Sequence, residues 1–303
     1  MDDMLKSVKT YYNAVRIAKK HVVNWQSLII SALLNLEGKF KSRAGGVISC
    51  DAKKLLRLLV GLENTWRDHG DTLGVIRFED ASLVIPGYFG RNLYIPWYAD
   101  RQSPPSALLK EYPFDVSGEV VLDIGSYFGN MPLMWVYKGA KKIIAVEPVP
   151  EHFQYLMKNV AGLPVVCLNV SLAIQLPYIP QLVGSLSYGI KEVQNNNINN
   201  YSLLDVPTVS LNELLNSYKP NVIKIDCEGC EHYVLDEIVQ LPRFGVKYLA
   251  VQFHSMANFR AYDSLEFVEK KLGKSTITRD KLKPSKSGVE RRNITAYWSL
   301  KSC

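Results

Sequence analysis

No run of about eighteen or more apolar residues free of polar interruption exists in the chain, so a membrane-spanning helix is not expected. The start, Met1-Asp2-Asp3-Met4, lacks the basic-then-apolar order of a secretory signal, and the expected location is cytoplasmic. Cysteine is sparse and odd in number: Cys50, Cys167, Cys227, Cys230 and Cys303 are scattered over 303 residues. That argues against a disulfide framework. Cys227-Glu-Gly-Cys230 has redox or metal spacing, but no second CxxC and no HxxxH accompany it, and only His232 follows closely. A zinc site lacks its other half, so two small residues at a strand-to-helix junction are the expectation. No internal repeat is evident, which sets solenoids and propellers aside.

Acidic charge is in the minority: 29 Asp and Glu against 36 Lys and Arg leave a net charge of +7. Basic residues gather early (Lys6, Lys9, Arg16, Lys19, Lys20, Lys39, Lys41, Arg43) and again late (Lys270, Lys271, Lys274, Arg279, Lys281, Lys283, Lys286, Arg291, Arg292). Such clusters suit nucleic acid, a phospholipid surface or a phosphorylated substrate. Solvated faces account for them too and are the simpler expectation.

What is present is organised in two parts. Residues 1 to about 70 read as helical, with Val8, Tyr11, Tyr12, Val15, Ala18, Val22 and Trp25 forming one stripe. Val22 to Leu36 is rich enough in apolar residues for a helix packed on the protein or lying on a membrane surface. Ala52 to Leu62 reads as a second, short helix, and Gly74 to Phe78, Leu83 to Tyr88 and Asn92 to Pro96 as strands. Ser103-Pro-Pro-Ser106 is the linker candidate, and the domain boundary is placed between residues 115 and 116. From there strands and helices alternate. Val120 to Ile124, Lys142 to Val146, Pro164 to Leu168, Asn221 to Asp226 and Lys247 to Phe253 are apolar strands. Asn130 to Gly139, Pro150 to Val160, a segment through Val234-Leu235 and Ala261 to Leu272 are helices between or after them. Ser275 to Thr278 and Asn293 to Trp298 close the chain as strands, whereas Ser171 to Ser217, with its run Asn195 to Asn200, reads as irregular. Buried strands alternating with helices predict an α/β fold with a parallel sheet covered on both faces.

Asp123-Ile-Gly-Ser-Tyr-Phe-Gly129 stands between the first of these strands and its helix. Gly125 and Gly129 let a ligand approach the backbone, with Ser126, Tyr127 and Asn130 around it. Asp123 is placed to accept from an ammonium group, and Glu147, at the end of the second strand, to grip both ribose hydroxyls. Tyr127 stands where a dinucleotide fingerprint GxGxxG has its second glycine. The loop therefore suits an adenosyl ligand bearing a charged amino acid better than a pyrophosphate.

Lys224-Ile-Asp-Cys-Glu-Gly-Cys-Glu231 ends the fourth strand, and alternation puts Lys224, Asp226 and Glu228 on one face. A lysine in an apolar strand needs a partner, for which Asp226 is nearest. His254 ends the fifth strand and converges on the same cleft if the strand order is 3-2-1-4-5. Asp226, Glu228 and His254 offer a general base for a hydroxyl, or ligands for a divalent cation. An ion-pair network that braces the sheet is the alternative.

VLDIGSYFGN, AVEPVPEHFQYLMKNV, VPTVSLNELL and IKIDCEGCEHYVL together resemble the FkbM-type methyltransferase family over roughly Val120 to His254. The resemblance implies a class I methyltransferase fold: a Rossmann-like, doubly wound, mostly parallel seven-stranded sheet, here behind a helical plus small β N-terminal extension. It implies S-adenosylmethionine as methyl donor and a hydroxyl oxygen as acceptor. The family's usual acidic-glycine pair after the third strand is missing beyond Val170-Ser-Leu-Ala173, and the adenine contact is placed near Asn169.

Three functions are weighed. The first is O-methylation of a sugar, glycolipid or natural-product hydroxyl, with Asp226 or His254 taking the proton. The second is ribose 2′-O-methylation of RNA; the absence of an Asn/Asp-Pro-Pro-aromatic motif counts against methylation of base amines. The third is a non-catalytic cofactor-binding or membrane-surface module. The acceptor, any metal dependence and the oligomeric state are left open.

Overall fold

The computed structural model describes residues 2–99, 102–174, 177–178, 202–203, 205–255, 259–283 and 291–300. The asparagine run at 195–200, the side chains of residues 2–9 and 281–292, and Cys303 lie outside the described residues. The chain divides into two units, Met1–Leu108 and Leu109–Cys303.

In the first unit α1 (Asp2–His21), α2 (Trp25–Leu33) and α3 (Ala52–Asp68) surround a buried group of Ile17, Ala18, Leu28, Leu55, Leu59 and Leu62. Asp51 caps α3 by accepting from Lys54 N at 2.8 Å. One buried polar bridge crosses this unit. His21 Nε2 sits 2.8 Å from Glu63 Oε1, its Nδ1 accepts from Ile76 N at 3.1 Å, and Lys20 Nζ also reaches Glu63. Burial works against the Glu63 carboxylate, but His21 and Lys20 outweigh it and hold its pKa below the usual range.

A hairpin, β1 (Glu37–Lys41) and β2 (Val47–Asp51), interrupts the stretch expected to be helical. Its alternating burial, with Phe40, Ile48 and Cys50 inside, is a period-two pattern. Gly45 and Gly46, at φ 104° and 83°, turn it. A Cβ on Gly46 would lie 1.6 Å from the Phe78 carbonyl oxygen. The antiparallel sheet β3 (Arg77–Glu79), β4 (Ser82–Tyr88) and β5 (Arg91–Pro96) follows. The linker candidate is corrected as well, because Pro105–Glu111 forms a helix, α4, for which proline suits the first turn.

The second unit begins before residue 116, at Leu109, for a packing reason. Phe114 stacks on Trp135 and Tyr248 at centroid distances of 5.8 and 5.4 Å, and Lys138 Nζ donates to the carbonyl oxygens of Tyr112 and Phe114. The elements are β6 (Val120–Ile124), α5 (Asn130–Tyr137), β7 (Lys142–Val146), α6 (Pro150–Val160) and β8 (Val165–Leu168). The two-residue strands β9 (Ser171–Leu172), β10 (Pro177–Tyr178), β11 (Ser202–Leu203) and β12 (Thr208–Val209) come next. Then follow α7 (Leu211–Tyr218), β13 (Val222–Ile225), α8 (Leu235–Ile238), β14 (Tyr248–His254), α9 (Ala261–Leu272), β15 (Thr276–Lys283) and β16 (Arg291–Ser299). α7 lies in the segment expected to be irregular; the signal for it was Ser210-Leu-Asn-Glu213, which forms a reciprocal capping box. The helix expected just after β13 is a 3-10 turn, Cys230–Tyr233, followed by the short α8.

The seven-stranded sheet has the order β15-β16-β14-β13-β6-β7-β8. Neighbours from β14 to β8 run parallel, and β16 is antiparallel to both β14 and β15. The sheet grows from β6 in both directions, to β7 and β8 on one side and to β13 and β14 on the other. Its switch point therefore lies between β6 and β13, and in open α/β sheets ligands bind at such a point, outside the strands' carboxyl ends. Leu122, Ile124, Ile144, Ile223, Ile225 and Val251 are at most 1 % exposed, and each such side chain contributes about 1.5–3 kcal/mol of transfer free energy. No helix among the described residues is long and apolar enough to cross a membrane.

Candidate active site

β6 delivers Asp123 to its carboxyl end fully buried, and the chain then turns through Gly125 at φ 77°. Gly125 N and Ser126 N both donate to Val146 O at 3.0 Å, so the loop is seated on the end of β7. A Cβ on Gly125 would stand 1.8 Å from the carbonyl oxygen of Asp226, so this turn also lies flat against the end of β13. Tyr127 adopts φ 52° without being glycine, and Gly129, at φ 94°, starts α5. Ser126 Oγ donates to Asp123 O and Oδ2 at 2.9 and 3.1 Å.

Glu147, 4 % exposed, ends β7. Its Oε2 accepts from Tyr127 N at 2.8 Å and its Oε1 from Val149 N at 3.0 Å, while His152 Nδ1 lies 3.3 Å away. Each carboxylate oxygen carries two lone pairs, so these bonds orient Glu147 and leave it acceptor capacity. Asn169 donates through Nδ2 to the carbonyl oxygens of Glu147 and Pro148 at 2.9 and 3.0 Å, tying the chain after β8 to the end of β7. Asn130 is buried at the start of α5.

Lys224 joins this half of the crevice to the other. It is 1 % exposed, and its Nζ lies 3.2 Å from Asp123 Oδ1, 3.1 Å from Ile124 O and 2.9 Å from Gly125 O. Asp226 Oδ2 is 3.9 Å away. The ammonium donates to the two backbone carbonyls and pairs with the Asp123 carboxylate, which makes Lys224 a residue that positions the loop. Burial opposes its charge, but Asp123 and Asp226 prevail and raise its pKa. Burial likewise raises the Asp123 carboxyl against the pull of Lys224.

On the far side Asp226, Glu228 and His254 come together, with one ligand atom from each lying within 4.8 Å of the others. His254 is fully buried; its Nε2 lies 3.6 Å from Asp226 Oδ1 and 3.5 Å from Glu228 Oε2. Two residues that sequence reasoning did not place in the site complete it. Glu231, fully buried, accepts through Oε1 from both His254 N and Nδ1 at 2.9 Å, and through Oε2 from Gly229 N at 3.0 Å. Burial works against its charge, and His254 overcomes this and lowers its pKa. Gln252 shares a strand face with His254. With its amide nitrogen turned towards Asp226, the orientation its neighbours assign, it donates to both carboxylate oxygens at 3.0 and 3.2 Å. Its signal was a polar residue two positions before His254 on an apolar strand.

Asp226 retains 27 % side-chain exposure. Enclosure raises its pKa, with Glu228 and Glu111 adding to the effect and Lys224 and His254 opposing it. Glu228 sits at φ 54°, a backbone conformation that a side chain adopts at a cost of about 1–3 kcal/mol. The expectation of two unlinked small residues at Cys227 and Cys230 is corrected: they form a disulfide across this turn, with Cα atoms 5.5 Å apart.

A family profile for the methyltransferase FkbM domain matches residues 123–275, just over half of the chain. The chain belongs to the FkbM methyltransferase family. Its fold is the class I fold of S-adenosylmethionine-dependent methyltransferases, with the antiparallel β16 inserted between β14 and β15. No curated protein matches the sequence significantly. Among solved structures, precorrin-6y C5,15-methyltransferase from Geobacter metallireducens is 11% identical, with a TM-score of 0.40 over 66% of this chain and 90% of that one. Ribosomal protein L11 methylase from Lactobacillus delbrueckii is 15% identical, with a TM-score of 0.34 over 64% and 77%. Streptococcus pneumoniae Sp1610, in complex with S-adenosyl-L-methionine, is 17% identical, with a TM-score of 0.34 over 65% and 72%. These likenesses are too loose to transfer an acceptor or a residue's role. Within the FkbM domain, Asp123, Gly125, Ser126, Tyr127, Gly129, Asn130, Glu147 and Asn169 gather at the ends of β6, β7 and β8. Asp226, Glu228 and His254 gather at the ends of β13 and β14, with Lys224 between the two groups.

Proposed function

We propose that the chain transfers the methyl group of S-adenosylmethionine to a hydroxyl oxygen of a small-molecule or glycan acceptor, and that Asp226 takes the hydroxyl proton. The observation that carries this reading is the convergence of Asp226, Glu228 and His254 one strand away from the buried Asp123.

The donor set suits the cofactor. Asp123 offers a carboxylate for an ammonium group, Glu147 offers oriented acceptors for ribose hydroxyls, and Gly125 and Gly129 let the loop between them pack closely on Asp226 and on α6. When bound, S-adenosylmethionine supplies an electrophilic methyl group on a sulfonium. Lys224 fixes the loop so that Asp123 keeps its place, and Asn169 fixes the turn that carries Glu147. Such positioning accounts for much of the acceleration of a direct transfer. On the acceptor side, Gln252 and His254 orient the partly exposed Asp226 carboxylate, while Glu231 holds the His254 ring from behind. As the oxygen–carbon bond forms and the carbon–sulfur bond breaks, the hydroxyl proton passes to Asp226.

Asp226, Glu228 and His254 are also the donors that would hold a divalent cation, in which case the cation lowers the hydroxyl's pKa. A screen of hydroxylated acceptors with labelled S-adenosylmethionine tests the proposal, run with wild type and Asp226→Asn, with and without a chelator. Product ethers formed by wild type and lost in the variant support the base role. Loss of wild-type activity on chelation assigns the proton's release to a cation, and methylation confined to nitrogen acceptors overturns the proposal.

A further inference from the structure

The Cys227–Cys230 link stands in the turn that carries the acceptor-side carboxylates. Cys227 lies between Asp226 and Glu228 and is partly buried, while Cys230 is 2 % exposed and opens the 3-10 turn. The two residues enclosed by the link, Glu228 and Gly229, have φ values of 54° and 123°. Glu231 follows immediately, and its carboxylate holds both Gly229 N and the His254 ring. A crosslink over so short a span does little to the unfolded chain as a whole, since the loop-closure effect grows with loop length. What it restrains is local: the left-handed backbone at Glu228 and the direction of its side chain.

We propose that the Cys227–Cys230 cystine is a thiol–disulfide exchange site whose substrate is a dithiol reductant, and that opening it loosens the carboxylate turn. The second half rests on the reading of Asp226, Glu228 and His254 as the acceptor site. The reductant's thiolate attacks the sulfur of Cys227, the less buried of the two residues. The sulfur–sulfur bond breaks, and Cys230 leaves as a thiolate and takes up a proton. The reductant's second thiol then attacks the mixed disulfide and releases Cys227. Two electrons and two protons have moved from the dithiol to the cystine, and the reductant ends as a disulfide. The other described cysteines do not compete. Burial pushes the Cys50 thiol up to about 12, and burial also raises Cys167, so neither supplies much thiolate.

The experiment uses the full-length protein, isolated without reductant and compared with a sample treated with dithiothreitol. Thiols are alkylated after denaturation and counted by intact mass, and amide exchange is followed in the peptide spanning residues 224–233. The expected result is two additional alkylated thiols after treatment, and exchange in that peptide at least tenfold faster. A Cys227→Ser/Cys230→Ser variant should exchange at the fast rate with or without dithiothreitol. An unchanged thiol count overturns the exchange site, and unchanged exchange after a gain of two thiols overturns the loosening. Failure to bind S-adenosylmethionine in either redox state would sink the methyltransferase reading without altering these two readouts.

Discussion

Replacing Gly125 by alanine places a methyl group 1.8 Å from the Asp226 carbonyl oxygen and 2.8 Å from its carbonyl carbon. Both neighbours are backbone at the end of β13, so no side chain can swing aside. Ordinary contact requires the gap to open from 1.8 to 3.4 Å, which pushes apart the two loops that frame the crevice. The native φ of 77° adds strain, because the left-handed region costs an alanine about 1–2 kcal/mol. With about 1–3 kcal/mol for overpacking, the expected loss of stability is about 2–5 kcal/mol. Lys224 Nζ is bonded to Gly125 O, so the displacement also reaches Asp123. Affinity for S-adenosylhomocysteine should therefore fall at least about tenfold, equal to about 1.4 kcal/mol. Denaturant unfolding gives the first quantity and calorimetric titration the second. A stability loss under about 0.5 kcal/mol, the scale of a neutral surface change, together with unchanged affinity would refute the close packing of the Gly125 turn on the end of β13.

Lys224→Met leaves Asp123 buried without its cation, and the expected cost is about 3–5 kcal/mol in denaturant unfolding, against no loss if the pair is dispensable. Asp226→Asn should lower kcat/KM by about 10²–10⁴ while S-adenosylhomocysteine still binds, and undiminished turnover would remove the base role. The wild-type pH profile should support that assignment. Asp226 faces Lys224, His254, Glu228 and Glu111, with Arg279 beyond, and its pKa is raised. The active, ionised form is therefore lost as pH falls through a value above the ordinary carboxylate of about 3.9. Glu231→Gln should cost about 1.5–3 kcal/mol near neutral pH. Because the native pKa of Glu231 is lowered, its contribution is complete above the unfolded value of about 4.3 and fades as pH falls through the native one. The variant and wild type should converge in acid, and a pH-independent gap would contradict an ionised Glu231 carboxylate in the native state.

The strand-and-loop core of the second unit was legible because each part carries a local cause. Val120 to Ile124 and Lys142 to Val146 are apolar strands with one charged residue each, Asp123 and Lys142, and Gly125 and Gly129 stand where the backbone turns left-handed. Asp123, Glu147, Asp226 and His254 fall at strand ends, so topology alone brings them to one edge of the sheet. The β1–β2 hairpin was masked by helical stripes on both sides, although Gly45-Gly46 marked its turn. α7 was masked by the polar segment before it, although Ser210 and Glu213 had capping spacing. Glu231 and Gln252 act through contacts with residues distant in sequence, Glu231 to His254 and Gln252 to Asp226; Gln252 stood out only as a polar residue on an apolar strand, and neither pairing has a local signature. The cystine depends on the 3-10 turn that brings two cysteines within bonding reach, whereas the spacing fitted a metal or redox pair but, without a second CxxC or HxxxH, favoured two small residues at a junction.

The central claim is that the crevice between β6 and β13 binds S-adenosylmethionine through Asp123 and Glu147. The most direct measurement is calorimetric titration of the full-length protein with S-adenosylmethionine, in parallel with Glu147→Gln, whose buried partners are backbone amides. The account predicts one site of roughly micromolar affinity, weakened at least about tenfold in a variant that remains folded. Absence of binding by the folded wild type, or equal affinity in the variant, would contradict it.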